Sequence, residues 1–248
     1  VSRISIILFF FLLSNHSFSQ KKKIYFDESG KKVSSLIFDQ KLYSSIYYGV
    51  NYHTKDYDVS TLYLNYYIGK IDSIKKHQLF SLLSQRNQID TTKTILIHYK
   101  DSLKSIASFP EKDTVIQLKN GRHKHLHSHI TFLKQHENCV RRFKRKKDIN
   151  VYHFYTSNDG HPEIYDNLKW HKDHLQMLKK LFSNRENLGY YWHLVIHPNG
   201  DYFVYNRNLN TAIYRDLMKQ RRWKKHLSSF IKKYNALNPK TLIPNSVR

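Results

Sequence analysis

The chain has 248 residues, of which 42 are Lys or Arg and 19 are Asp or Glu, giving a formal net charge of +23. Such a field draws polyanions and anionic surfaces and says nothing of fold. A single cysteine excludes a disulfide framework within the chain, and seven glycines argue against a glycine-rich cofactor loop.

The first residues, VSRISIILFFFLLSNHSFSQ, set Arg3 before an apolar run from Ile6 to Leu13, with Ser17 and Ser19 beyond it. This order predicts a signal peptide over 1–19, cut before Gln20, and an exported, periplasmic or extracellular protein. The run is shorter than the roughly 20 apolar residues that a membrane-spanning helix needs. Residues 21–90 carry 11 basic and 7 acidic side chains, against 30 and 12 in 91–248, so the charge lies mostly in the second part. Ser29-Gly30 signals a turn, and a short helix is expected over 34–42. From Tyr57 to Ile68 the alternation of Tyr, Val, Thr and Leu reads as one strand, joined to the strand before it by a bend at Thr54-Lys55-Asp56. Asp72 or Ser73 caps a helix running to about Gln88. Residues 20–91 therefore read as a small mixed α+β region.

TILIHY (94–99) is suited to a buried strand, and Thr114–Leu118 to a short extended piece. Ile130, Leu133, His136, Val140 and Phe143 recur at helical spacing and predict a helix over 127–146. Cys139 falls inside that helix and reads as a small buried hydrophobe. VYHFYTS (151–157) is a strand. Leu168, His171, Leu175, Leu178 and Phe182 step by three and four and predict a second helix. WHLVIHPNGDYFVY (192–205) is a hairpin with Pro198-Asn199-Gly200-Asp201 as its turn. Ile213, Leu217, Leu227, Phe230, Ile231 and Tyr234 mark a last helix, roughly 211–235, before a loose tail at 237–248.

Strand, helix, strand, helix, hairpin, helix over 92–236, with that hairpin turn, resembles a thioredoxin-like domain. The resemblance implies an α/β fold with a central sheet and helices on both faces. It also sets expectations about chemistry. Members that exchange disulfides carry Cys-x-x-Cys at the first strand–helix junction, where this chain has YKDSLKSIASFPEKD. The proline that commonly precedes the third strand is missing from Asn187–Tyr191. One cysteine cannot complete a two-thiol cycle, so the domain is expected to be inactive as a disulfide enzyme.

Two strings carry candidate sites. RHKHLHSH (122–129) places His123, His125, His127 and His129 on one face if extended, or as i, i+4 pairs if helical. Either arrangement offers neutral imidazoles to Zn²⁺ or Cu²⁺, although no carboxylate is interleaved to orient the rings. A solvated loop and helix entry is the competing reading. Arg141, Arg142, Lys144, Arg145, Lys146 and Lys147, with Arg221, Arg222, Lys224 and Lys225, lie on helices that a thioredoxin-like topology puts on one side of the sheet. A positive surface for anionic envelope lipid or polysaccharide is expected there, export arguing against nucleic acid. No hydrolase, phosphate-loop or zinc-protease motif is present, so a binding role is expected over catalysis. An enzyme using histidines, with or without metal, is the alternative.

Overall fold

The structure, a computed structural model, describes residues 21–118, 121, 123–144, 148–182, 191–205 and 215–239. The expected signal peptide over 1–19, Arg145, Lys146, Lys147, the 187–190 stretch and the end of the tail lie outside the described residues. The chain divides into two compact units between Tyr63 and Leu64.

The smaller unit comprises β1 (Lys22–Phe26), β2 (Lys32–Val33), α1 (Ser35–Leu42), β3 (Tyr47–His53) and β4 (Tyr57–Leu64), in the sheet order β2-β1-β4-β3. Asp27 builds the β1–β2 turn by accepting from the backbone N–H of Ser29 and Lys31, both at 2.9 Å. Ser34 caps α1 through Ile37 N–H, as its position before the helix suggests. Glu28 is held by Lys41 at 2.8 Å and by the Tyr47 hydroxyl at 2.9 Å.

The larger unit is a mixed α/β fold. Its strands are β5 (Tyr66–Lys70), β6 (Thr94–Leu103), β9 (Ile149–Asn158), β10 (Ile164–Tyr165), β11 (Leu168–Lys172), β12 (Tyr191–Ile196) and β13 (Asp201–Tyr205). They form one sheet in the order β10-β11-β9-β6-β12-β13-β5, and a separate hairpin pairs β7 (Thr114–Gln117) with β8 (His123–Leu126). Strands β6 and β9 are parallel, β12 is antiparallel to both β6 and β13, and β5 closes the far edge antiparallel to β13. The helices are α2 (Ser73–Asn87), α3 (His129–Lys144), α4 (Met177–Phe182) and α5 (Trp223–Leu237). His136 of α3 meets His153 of β9, and Phe230 of α5 meets Tyr66 of β5, on one sheet face. Phe182 of α4 packs on Tyr202 on the other face, which also holds the stacked Tyr99–Trp192 pair at 4.3 Å.

Three expectations change. The strand expected over 57–68 breaks at Asn65 into β4 and β5, which belong to different sheets. Tyr66 to Gly69 are all buried, so both faces are covered there and alternation gives no warning of the break. The boundary moves with it, from 91 to Tyr63, because β5 already belongs to the larger sheet. The helix expected over 168–182 is a strand, β11, parallel to β9, followed by a 3-10 turn and the short α4. Leu168 and Trp170 alternate as well as they step helically, and β9 offered an open edge. Leu175 and Gln176 then take φ of 57° and 52°, so no α-helix runs through them.

At the hairpin, Gly200 has φ of +90°, donates to His197 C=O at 2.8 Å and accepts from Ile71 N–H at 2.9 Å. A Cβ there would sit 3.0 Å from Lys76 Cδ. Gly200→Ala is expected to cost about 1–3 kcal/mol, read as a lowered urea midpoint with an unchanged slope.

Candidate functional site: a buried histidine row and a histidine pair at its rim

Register brings one histidine from each of three core strands into a line. His98 of β6 pairs laterally with His153 of β9 and with His193 of β12, and Trp170 and Tyr205 extend the row on either side. The His98 ring stacks on His153 at 4.9 Å and meets His193 edge-on at 4.5 Å. His136 of α3 sits above, 4.9 Å from His153, 6.1 Å from His98 and 5.2 Å from Trp170. Cys139, one turn further along α3, brings Sγ to 3.0 Å from His98 Nε2. The cluster borders a cavity of about 200 Å³ lined by His98, Lys100, Phe132, Gln135, His136 and Cys139, none of them acidic.

Burial sets the protonation states. His98 is lowered to about 3 by loss of water, and His136, His153 and His193 are held well below the ordinary histidine range by the same cause, with smaller repulsion from Lys100 on His136 and His153 and from neighbouring histidines. Burial pushes the Cys139 thiol up to about 11, against a weaker pull from Arg142. At neutral pH the His98–Cys139 contact therefore joins a neutral ring to a protonated thiol, a poor nucleophile. Lys100, whose ammonium lies 4.0 Å over the Phe132 ring, is lowered to about 8 by burial and by Lys104. His153 Nε2 and Trp170 Nε1 have no hydrogen-bond partner among the described residues.

The histidine string read from the sequence does not gather. His123 and His125 are exposed on β8, and His127 is exposed with Nδ1 3.6 Å from Asp113 Oδ2. Only His129, the first residue of α3, turns toward another histidine, with Nε2 3.2 Å from His161 Nε2. Among the described residues, no three His, Cys, Asp or Glu side chains are arranged to hold a metal ion. Of the basic residues, Arg141 and Arg142 are exposed on α3. Arg221 and Arg222 are exposed in the 3-10 turn before α5, and Lys224 and Lys225 in its first turn. Lys144 ends α3. His171 lies on β11, stacked on Phe154 at 5.3 Å, and Asp173 accepts from Tyr99 OH and from the first N–H groups of α4, so both serve the packing.

His98, His153 and His193 escaped the sequence reading, and so did His161. The available signal was one histidine in the middle of each core strand, in ILIHY, VYHFY and WHLVI. Only the register shows that the three meet. Comparison with protein-family models, curated proteins and solved structures finds no match.

Two outcomes follow. In the unfolded chain these histidines titrate near 6.5, and in the fold far lower. Above pH 6.5 both states are neutral and stability is complete. As pH falls below 6.5 toward 3 the unfolded state takes up protons that the folded state refuses, and stability is lost, by up to about 1.4 kcal/mol per pH unit for each such histidine. Urea melts at pH 7.5 and 5.0 should show the drop, and His153→Phe should make it shallower. For the thiol, labelling of native protein with a maleimide at pH 7 should be at least about tenfold slower than labelling in urea, as its raised pKa and partial burial require.

Proposed function

We propose that the larger unit is a thioredoxin-like domain that acts by binding, in an exported protein, and that its partner is an anionic envelope lipid or polysaccharide. The strand order β9-β6-β12-β13, parallel then antiparallel then antiparallel, supports the thioredoxin-like assignment, as does α3 lying on the same face as α5 with α4 opposite. Strands β10 and β11 on one edge and β5 on the other are additions to that core. The protonated, partly buried Cys139 and the absence of any second cysteine speak against disulfide exchange. No helix among the described residues is long and apolar enough to cross a membrane.

The observation that carries the binding reading is where the cations sit. Arg221, Arg222, Lys224 and Lys225 crowd the start of α5, which has no acidic residue in its first turn. The helix dipole is positive at that end, so each cation there costs a few tenths of a kcal/mol instead of stabilising the helix. Asp216 relieves part of this, 3.7 Å from Arg222 and 3.5 Å from His226. A docked anion relieves the rest, and Arg141 and Arg142 add charge on the same side of the sheet. The protein should stay on heparin, or on vesicles containing anionic lipid, at roughly 0.15 M salt. Lys224→Glu with Lys225→Glu should lower the eluting salt markedly. Elution of the wild type at trivial ionic strength defeats the reading, and the two matrices separate polysaccharide from lipid.

The convergence of His98, His136, His153 and Cys139 beside a cavity favours a second reading, a histidine-dependent enzyme. The missing carboxylate weighs against it, since no residue lining the cavity orients or charges an imidazole for acid–base work.

A further inference from the structure

Away from the buried row, a different pair of histidines has the geometry of metal ligands. His129 opens the crossover helix α3 and His161 follows β9, so both stand at the carboxyl ends of the parallel strands β6 and β9, where open α/β sheets gather ligands. Their Nε2 atoms are 3.2 Å apart. Two metal–imidazole bonds of about 2.0–2.1 Å meeting at a tetrahedral angle set their nitrogens roughly 3.3 Å apart.

His161 is fixed as a ligating ring would be. Its Nδ1–H donates to Pro162 C=O at 2.8 Å, which leaves Nε2 as the bare nitrogen aimed at His129. The backbone around it is locked: Asn158 accepts from His161 N–H at 2.7 Å and donates to His161 C=O at 2.8 Å, and Gly160 makes the turn with φ of +97°. His129 is held by rings, Phe109 at 5.2 Å and Tyr165 edge-on at 5.5 Å. Burial lowers both histidines, so both are neutral donors at physiological pH. His129 remains half-buried, which leaves the pair open on one side.

We propose that His129 and His161 form an open two-imidazole site for a divalent transition metal of the Zn²⁺ and Cu²⁺ class. The metal takes the place of the hydrogen now shared between the two Nε2 atoms. His129 stays neutral by carrying that hydrogen on Nδ1, so two neutral rings face the ion. With two protein donors, the remaining positions belong to water or to a donor group of a bound molecule, which marks an open site rather than a closed structural one. The site does not depend on the anion-binding reading, because none of its residues lies in the basic turns.

The test titrates the full chain with ZnCl₂ and with CuCl₂ at pH 7.4 by calorimetry. The same titrations are run on His161→Gln, on His129→Gln and on a His123→Gln/His125→Gln/His127→Gln triple variant. One saturable ion per chain with Kd on the order of micromolar is expected, weakened at least about tenfold by either single substitution and retained by the triple one. The copper-loaded protein should show two equatorial nitrogens by electron paramagnetic resonance. Should His161→Gln fail to fold, His129→Gln decides, since its ring is half-exposed at a helix start. Absence of saturable binding, or binding lost in the triple variant but indifferent to His129→Gln, overturns the proposal and leaves a histidine–histidine hydrogen bond.

Discussion

Six consecutive residues of β6, Thr94 to Tyr99, are buried, so water reaches neither face of the sheet at its centre. Any polar group there must be satisfied from within the protein or remain uncharged. His98 meets that demand by staying neutral against the Cys139 thiol. Its register partners on both sides are also histidines, and a fourth lies above, so a proton on one would face imidazoles within about 5–6 Å that could not be protonated in turn. The row therefore behaves as a strip of polar aromatics. It packs like Trp170 and Tyr205 at its ends and keeps its charge state fixed through the physiological range.

That constraint sets apart three groups among the described histidines by what they can do. Those in the row are too deeply buried to serve as proton carriers near neutrality. Those on β8 are exposed and unorganised. His129 and His161 are neutral and oriented by a backbone carbonyl and by rings; His161 is buried, and the half-buried His129 is the side from which solvent reaches the pair. The same logic applies to Cys139. A thiol facing the neutral row has nothing to stabilise its anion, which is why a Cys–His contact of 3.0 Å does not amount to an activated nucleophile.

Much of the fold could be read from the sequence because local chemistry and tertiary role agree. Asp72 caps α2 and Gly200 turns the β12–β13 hairpin, and the apolar spacing in Ile130–Phe143 marks α3. The misreadings come from segments where pairing overrides local pattern. Leu168–Lys172 carries a helical spacing yet completes the sheet beside β9, and Tyr66–Lys70 is buried on both faces, so its separation from β4 leaves no trace in the alternation. The site was less legible for a related reason. His98, His153 and His193 are 55 and 40 residues apart in sequence and meet only through strand register, whereas the conspicuous run at 123–129 is a local feature that the hairpin leaves in solvent.

One helix joins these features. α3 turns Phe132, His136 and Cys139 toward the sheet, holds out Arg141 and Arg142, and begins at His129. Its inner face meets imidazoles that stay uncharged and the cationic Lys100, and no acidic residue lines the cavity beneath, so nothing there offsets the arginines outside. An anionic surface would then meet α3 and α5 without disturbing the protonation of the interior, while the opening turn of α3 remains a separate place for chemistry. Uncharged imidazoles inside are thus compatible with a cationic exterior on the same helix, whose first residue is His129 of the proposed pair.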